Sequence, residues 1–151
     1  MAIFYYHQDI VNIKADYICH QVNCLGKMGS GVAKAVREKW PKVYEEYRNI
    51  VSTTLSTPLL GTIQEIEVED GQRIINMFAQ SSYGYDGERY TSYDAFWECL
   101  QRIKESVPIR STIAFPYKIG CGLGGANWQV IFQMIVQVLS ENYDVIFCYL
   151  E

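Results

Sequence analysis

Apolar positions along the chain follow two periods. Residues 3–6 (IFYY) and 17–23 (YICHQVN) are short apolar runs of strand length, the second apolar enough to lie inside a sheet. Residues 31–39 and 42–49 read as helices separated by Pro41. Residues 62–70 (TIQEIEVED) alternate like a half-exposed strand, Asp70-Gly71 signals a turn, and residues 73–80 (RIINMFAQ) return as a strand, which predicts a hairpin. Tyr93, Phe96, Trp97, Leu100 and Ile103 then recur at helical spacing, with Thr91 as the expected N-cap. Residues 111–119 begin as a strand that gives way at Pro116. Val130, Ile131, Met134, Ile135, Val138 and Leu139 form one helical stripe, and residues 145–150 close the chain as a strand.

The order β-β-α-α-β-β-α-β-α-β predicts an α/β fold, a mixed sheet of about six strands covered by helices on both faces. Ligands of such sheets bind in the crevice at the carboxyl ends of the strands. Two glycine-rich segments fall there. Gly26-Lys27-Met28-Gly29-Ser30-Gly31 lies between a strand and a helix, and so does Gly120-Cys121-Gly122-Leu123-Gly124-Gly125. Glycine suits such places because it tolerates positive φ and has no Cβ to hold a ligand off. Two loops of this kind at one sheet edge point to a phosphate-bearing ligand rather than to packing alone.

Composition narrows the class. The 151 residues suit one domain, expected to span 1–151, and the net charge of -4 argues against direct nucleic-acid binding by bulk phosphate neutralisation. It does not argue against a small phosphorylated ligand held by backbone amides. Five cysteines, none in a C-x-x-C pair, and two histidines leave a disulfide framework or a structural zinc site without support; no metal and no cofactor are expected. No signal peptide or membrane span is legible, so a cytoplasmic monomer that makes no membrane contact is expected.

Three functional readings compete for the loops. A P-loop requires G-x-x-x-x-G-K-[ST], but Val32 follows Gly31 and Lys27 comes too early. Gly120-x-Gly122-x-x-Gly125 matches the dinucleotide fingerprint and Glu151 follows the next strand, yet only one strand remains where a βαβαβ half should stand. The third reading takes both loops together. HQVNCLGKMGSGVAKAV (residues 20–36), FPYKIGCGLGGANW (residues 115–128) and the early HQDI (residues 7–10) resemble the macro domain family in order and spacing.

The resemblance covers nearly the whole chain and implies a three-layer α/β/α fold with a mostly parallel sheet that binds ADP-ribose or a 1''-substituted derivative. It implies that Asp9, with the backbone of Ile10, takes the adenine and that Asn23 contacts the distal ribose. Gly29, Ser30 and Gly31, with Val32 following, would wrap the distal ribose and pyrophosphate. The amides of Gly120, Cys121, Gly122, Leu123, Gly124 and Gly125 would cradle the phosphates, and Tyr149 would lie against the adenine or proximal ribose.

For chemistry, the segment from His20 through Asn23 to Gly31 is most similar to the branch that removes phosphate from ADP-ribose 1''-phosphate. That likeness implies catalysis by His20, with Asn23 positioning the ribose; by loop position Asp86 is the nearest carboxylate to assist. Arg89 could pair with a terminal phosphate, and Tyr83, Tyr85 and Tyr90 could cover the ribose. A lysine–aspartate hydrolase mechanism is not available in the form another branch uses, because no lysine occurs between Arg73 and Lys104 and Gly124 follows Leu123. A thiolate at Cys24 or Cys121, near helix N-termini, is a further option. The rival classes are a module that binds ADP-ribose without turning it over, a mono-ADP-ribosyl hydrolase of another mechanism, and, more distantly, a protein that prefers intact NAD.

Overall fold

The structure is a computed structural model that describes residues 2–54 and 56–150; Glu151, invoked in the dinucleotide reading, lies outside them. Six strands, β1 (Ile3–His7), β2 (Tyr17–Asn23), β3 (Ile63–Glu67), β4 (Arg73–Gln80), β5 (Thr112–Pro116) and β6 (Asp144–Tyr149), form one sheet in the order β1-β6-β5-β2-β4-β3. All neighbours are parallel except β3, which pairs antiparallel with β4 as the hairpin predicted. Helices α1 (Gly31–Lys39) and α2 (Pro41–Thr53), with the single turn α3 (Ser56–Leu59), cover one face. Helices α4 (Tyr93–Ser106) and α5 (Trp128–Leu139) cover the other.

Strand β2 shows why the sheet must be covered twice. Tyr17 and Cys19 enter the core beneath α4 and α5, while Ile18 and Val22 enter the core beneath α1 and α2. A strand apolar on both sides is stable only between two helical layers. Pro41 begins α2 instead of merely separating two helices, because its missing N–H falls where no intrahelical partner exists.

Ser92, not Thr91, caps α4: its hydroxyl accepts from the Ala95 amide at 3.1 Å. The Thr91 hydroxyl is committed elsewhere, donating to the Gly120 carbonyl at 2.9 Å. This parallel arrangement brings the carboxyl ends of five strands, at His7, Asn23, Gln80, Pro116 and Tyr149, to one edge. The register slips there, Val22 pairing with Phe78 and Asn23 with Gln80, and such irregularities re-aim the side chains that follow.

Candidate functional site

A cleft of about 500 Å³ opens at that edge. One wall is the loop after β2, from Asn23 through Gly29 and Ser30. The other is the loop after β5, from Pro116 to Gly124, and Tyr83 and Tyr85 reach over from the loop after β4. The sequence-predicted glycine loops therefore face each other across one space. Tyr85, 68 % exposed, closes part of the gap, its hydroxyl 3.2 Å from Ser30 Oγ.

Asn23 is 8 % exposed and rivets the first loop. Its Nδ2 donates to the Lys27 carbonyl at 2.9 Å, and its Oδ1 accepts from the amides of Leu25 at 3.0 Å and Lys27 at 3.4 Å. Below it, the Tyr47 hydroxyl lies 2.6 Å from the Asn23 carbonyl oxygen and 2.9 Å from Oδ1 and shares its proton between them. Burial pushes the Tyr47 phenol above its ordinary pKa, so that proton stays in place. A carboxamide can supply this mixture of donor and acceptor and still leave one N–H for a ligand.

The two helix N-termini at the cleft are unequal. Asn127 caps α5, accepting from the Val130 amide at 3.3 Å. At α1 the N-cap Ser30 makes no side-chain cap bond. The first-turn amides of α1 are thus left without the side-chain acceptor that a helix start ordinarily has, and with the helix dipole they favour an anion. The second loop sorts its own amides. Those of Cys121, Gly125 and Ala126 bond within the loop, to the carbonyls of Lys118, Gly122 and Gly120. Those of Gly120, Gly122, Leu123 and Gly124 donate to no backbone carbonyl among the described residues. Of the six expected amides, Cys121 and Gly125 are thus committed within the loop and the other four are not.

His20 lies at the base of the cleft, 1 % exposed, with Nε2 2.5 Å from Asn76 Oδ1 and Nδ1 without a partner among the described residues. Desolvation lowers its pKa to about 4 against the raising effect of the Asn76 bond. The ring is neutral at pH 7, and its unpartnered Nδ1 is left to hydrogen-bond rather than to carry charge. It also makes stability depend on pH. Between about pH 6.5 and 4 the unfolded chain binds a proton that the folded chain refuses, so stability is full above that window and falls as pH drops through it. A shift of this size corresponds to about 3 kcal/mol. Urea unfolding across the window should show that loss, and His20→Gln should remove most of it; an identical pH profile in the variant would contradict the assignment.

The thiols behave opposite to the expectation from helix N-termini. Burial pushes Cys24 up to about 11 and raises Cys121 as well, so neither is a thiolate at neutral pH. A cysteine nucleophile is thereby disfavoured.

Other expected residues stand outside the cleft wall. Asp86 is exposed, accepting from the Tyr90 hydroxyl at 2.8 Å and the Glu88 amide at 3.1 Å, so neither Asp86 nor Tyr90 faces the cleft. Arg89 sits over the Tyr93 ring at 4.5 Å. Asp9 caps a 3-10 turn at Ile10–Asn12 through the Val11 amide. Tyr149 stacks on His7 at 5.2 Å and meets the edge of Tyr117, a cleft residue, at 6.3 Å. Asp9, Ile10 and Tyr149 thus continue the same sheet edge without lining the cleft itself.

Sequence reasoning missed the cleft floor. Gln21 Nε2 donates to Gln80 Oε1 and Thr91 Oγ1, both at 2.7 Å, and ties β2, β4 and the start of α4 together beneath the second loop. Gln21 follows His20 in a strand, where successive side chains point to opposite faces, which is the available signal.

Comparison with known proteins settles the family. The macro domain family model matches residues 19–135. The chain is a macro domain. It is 28% identical over 154 residues to an uncharacterised 17.5 kDa protein of Enterobacteria phage T4, covering 97% of this chain and 95% of that protein. A protein of unknown function from Bacteroides thetaiotaomicron superposes with a TM-score of 0.86 at 28% identity, covering 99% of this chain and 98% of the other. The DNA ADP-ribosyl glycohydrolase of Mycobacterium tuberculosis is 24% identical over 143 residues, 95% of this macro domain but only 40% of that longer protein.

Proposed function

We propose that this macro domain binds ADP-ribose and hydrolyses the bond at C1'' of its distal ribose. The observation that carries the reading is the pair of glycine loops facing each other across the cleft, with an uncapped helix start on one side and unpaired amides on the other. A diphosphate flanked by two sugars fits such a place. The adenine would lie toward Asp9, Ile10 and Tyr149, and the distal ribose toward Asn23, Gly29, Ser30, Gly31 and Val32.

In this reading water bonds to C1'', the substituent departs, and the water's proton follows it. Asn23 holds the ribose. His20, neutral at pH 7, orients the attacking water through its free Nδ1, and the Tyr83–Tyr85 cover limits water around the reacting carbon. Asp86 could join only if its loop turned inward. The substrate most similar in motif is ADP-ribose 1''-phosphate, giving ADP-ribose and phosphate. The related DNA ADP-ribosyl glycohydrolase supports a second reading, in which the substituent that leaves C1'' is a nucleic acid. A cytoplasmic setting accords with five cysteines that stand as free thiols among the described residues. No helix among those residues is long and apolar enough to cross a membrane.

Turnover decides between hydrolase and binding module. Wild-type protein should release ADP-ribose from one of the two substrates, and His20→Gln should slow that release by about 100-fold or more while still binding ADP-ribose. Wild-type turnover in the variant would remove His20 from the mechanism. Binding without product from either substrate would leave a reader module.

A further inference from the structure

Beyond the first glycine loop the cleft opens onto Lys27, Arg37 and Tyr44. Arg37 lies flat over the Tyr44 ring, its Cζ 3.9 Å from the centroid. Arg48 Nη1 donates to the Tyr44 hydroxyl at 3.1 Å. The Arg48 bond and the charges of Arg37, Arg48 and Lys27 together lower the Tyr44 pKa, which marks a concentrated positive field. No carboxylate answers it. Among the described residues the ion pairs are made by Lys42 and Arg73, and Lys27, Arg37 and Arg48 make none.

In a chain of net charge -4, three unpaired cations around one tyrosine are a local exception. A polyanion is repelled by most of this surface and drawn to this patch, which orients it. Guanidinium groups held against a ring retain outward N–H forks suited to phosphate oxygens. The patch also borders the loop assigned to the distal ribose, where a substituent on C1'' would emerge. Arg37 and Arg48 flank one ring, their Cζ atoms 3.9 and 5.8 Å from its centroid, so a strand leaving C1'' meets two guanidinium forks beside Lys27 with successive phosphates. A base carrying ADP-ribose must also be out of a duplex to enter the cleft.

We propose that Lys27, Arg37 and Arg48 around Tyr44 form a phosphodiester subsite, and that the carrier of ADP-ribose at this site is a single-stranded nucleic acid. This rests on the ADP-ribose reading of the cleft. It is compatible with the acidic chain because only a few local contacts are needed, not neutralisation of a duplex.

The test uses a fluorescent single-stranded DNA oligonucleotide bearing one base-linked ADP-ribose, the bare oligonucleotide, free ADP-ribose, and an ADP-ribosylated phosphopeptide. Arg48→Ala and the Arg37→Ala/Arg48→Ala double variant are compared with wild type after a thermal scan shows they fold. For the modified oligonucleotide, the double variant should lose affinity by about tenfold and shed about 1.4 from the slope of log K against log salt, as expected for two lost contacts to a single strand. Free ADP-ribose should bind wild type and variants within about twofold. Equal affinity of wild type for modified oligonucleotide and free ADP-ribose, or no effect of the double variant, overturns the subsite. Phosphopeptide binding that is tighter and equally sensitive to Arg48 overturns the nucleic-acid assignment. If free ADP-ribose fails to bind, the cleft reading falls by itself; Arg48-sensitive binding of the bare oligonucleotide then still supports the subsite, and its absence overturns both.

Discussion

Gly125→Ala is expected to destabilise the protein by about 3 kcal/mol and to abolish ADP-ribose binding. Gly125 has φ +73, a left-handed conformation that costs an L-residue about 1–2 kcal/mol. The added methyl would also meet backbone, the Glu88 carbonyl oxygen at 2.7 Å and Arg89 Cα at 2.9 Å. Backbone cannot swing aside as a side chain can, so the loops after β4 and β5 must separate, at a further cost of about 1–3 kcal/mol. Those loops form the roof and one wall of the cleft. Gly122→Ala is the contrasting variant: its φ is not positive and its Cβ would meet nothing within 4 Å. It should leave the urea midpoint nearly unchanged while weakening the ligand, because the methyl stands beside an amide offered to phosphate. Equal stability of the two variants would show that the contact between loops does not hold the cleft.

The second large effect is at Asn23. Asn23→Ala removes the side chain that joins Leu25, Lys27 and Tyr47, leaving two amides and a carbonyl without it. A loss of about 2–3 kcal/mol in urea unfolding is expected, with ADP-ribose affinity down by about tenfold or more as the loop loses its shape. Asn23→Asp separates shape from charge. The carboxylate keeps the acceptor role toward both amides and Tyr47, but it turns a like charge toward the Lys27 carbonyl and toward any anion in the cleft. Its binding loss should equal or exceed that of alanine with a smaller loss of stability. Were Asn23→Asp to bind ADP-ribose as wild type does, the first loop would not be the phosphate side of the site.

Much of this arrangement is legible in the sequence because local chemistry and tertiary structure agree there. The six strands, the hairpin at Asp70-Gly71 and the helical stripe of α5 follow from periodicity that burial then satisfies. The glycine loops follow from residue type, since little else enters a tight strand-to-helix turn. The α4 cap was not legible: Thr91 and Ser92 are both good caps, and the choice depends on Gly120, which is distant in sequence. Burial of His20 against Asn76 is equally nonlocal, as it depends on the pairing of β2 with β4. The helix-terminus argument for reactive thiols failed because Cys24 lies ahead of the α1 start at Gly31 and is desolvated in the core. The basic rim escaped notice because Lys27, Arg37 and Arg48 meet only when α1 and α2 pack beside the loop.

Isothermal titration of the purified protein with ADP-ribose, alongside NAD and ADP, tests the central claim most directly. The cleft predicts low-micromolar or tighter binding of ADP-ribose, about tenfold or more over either control, because only ADP-ribose places a free distal ribose beside Asn23 and its diphosphate between the two loops. Tighter binding of NAD, or no heat with any of the three, would contradict it.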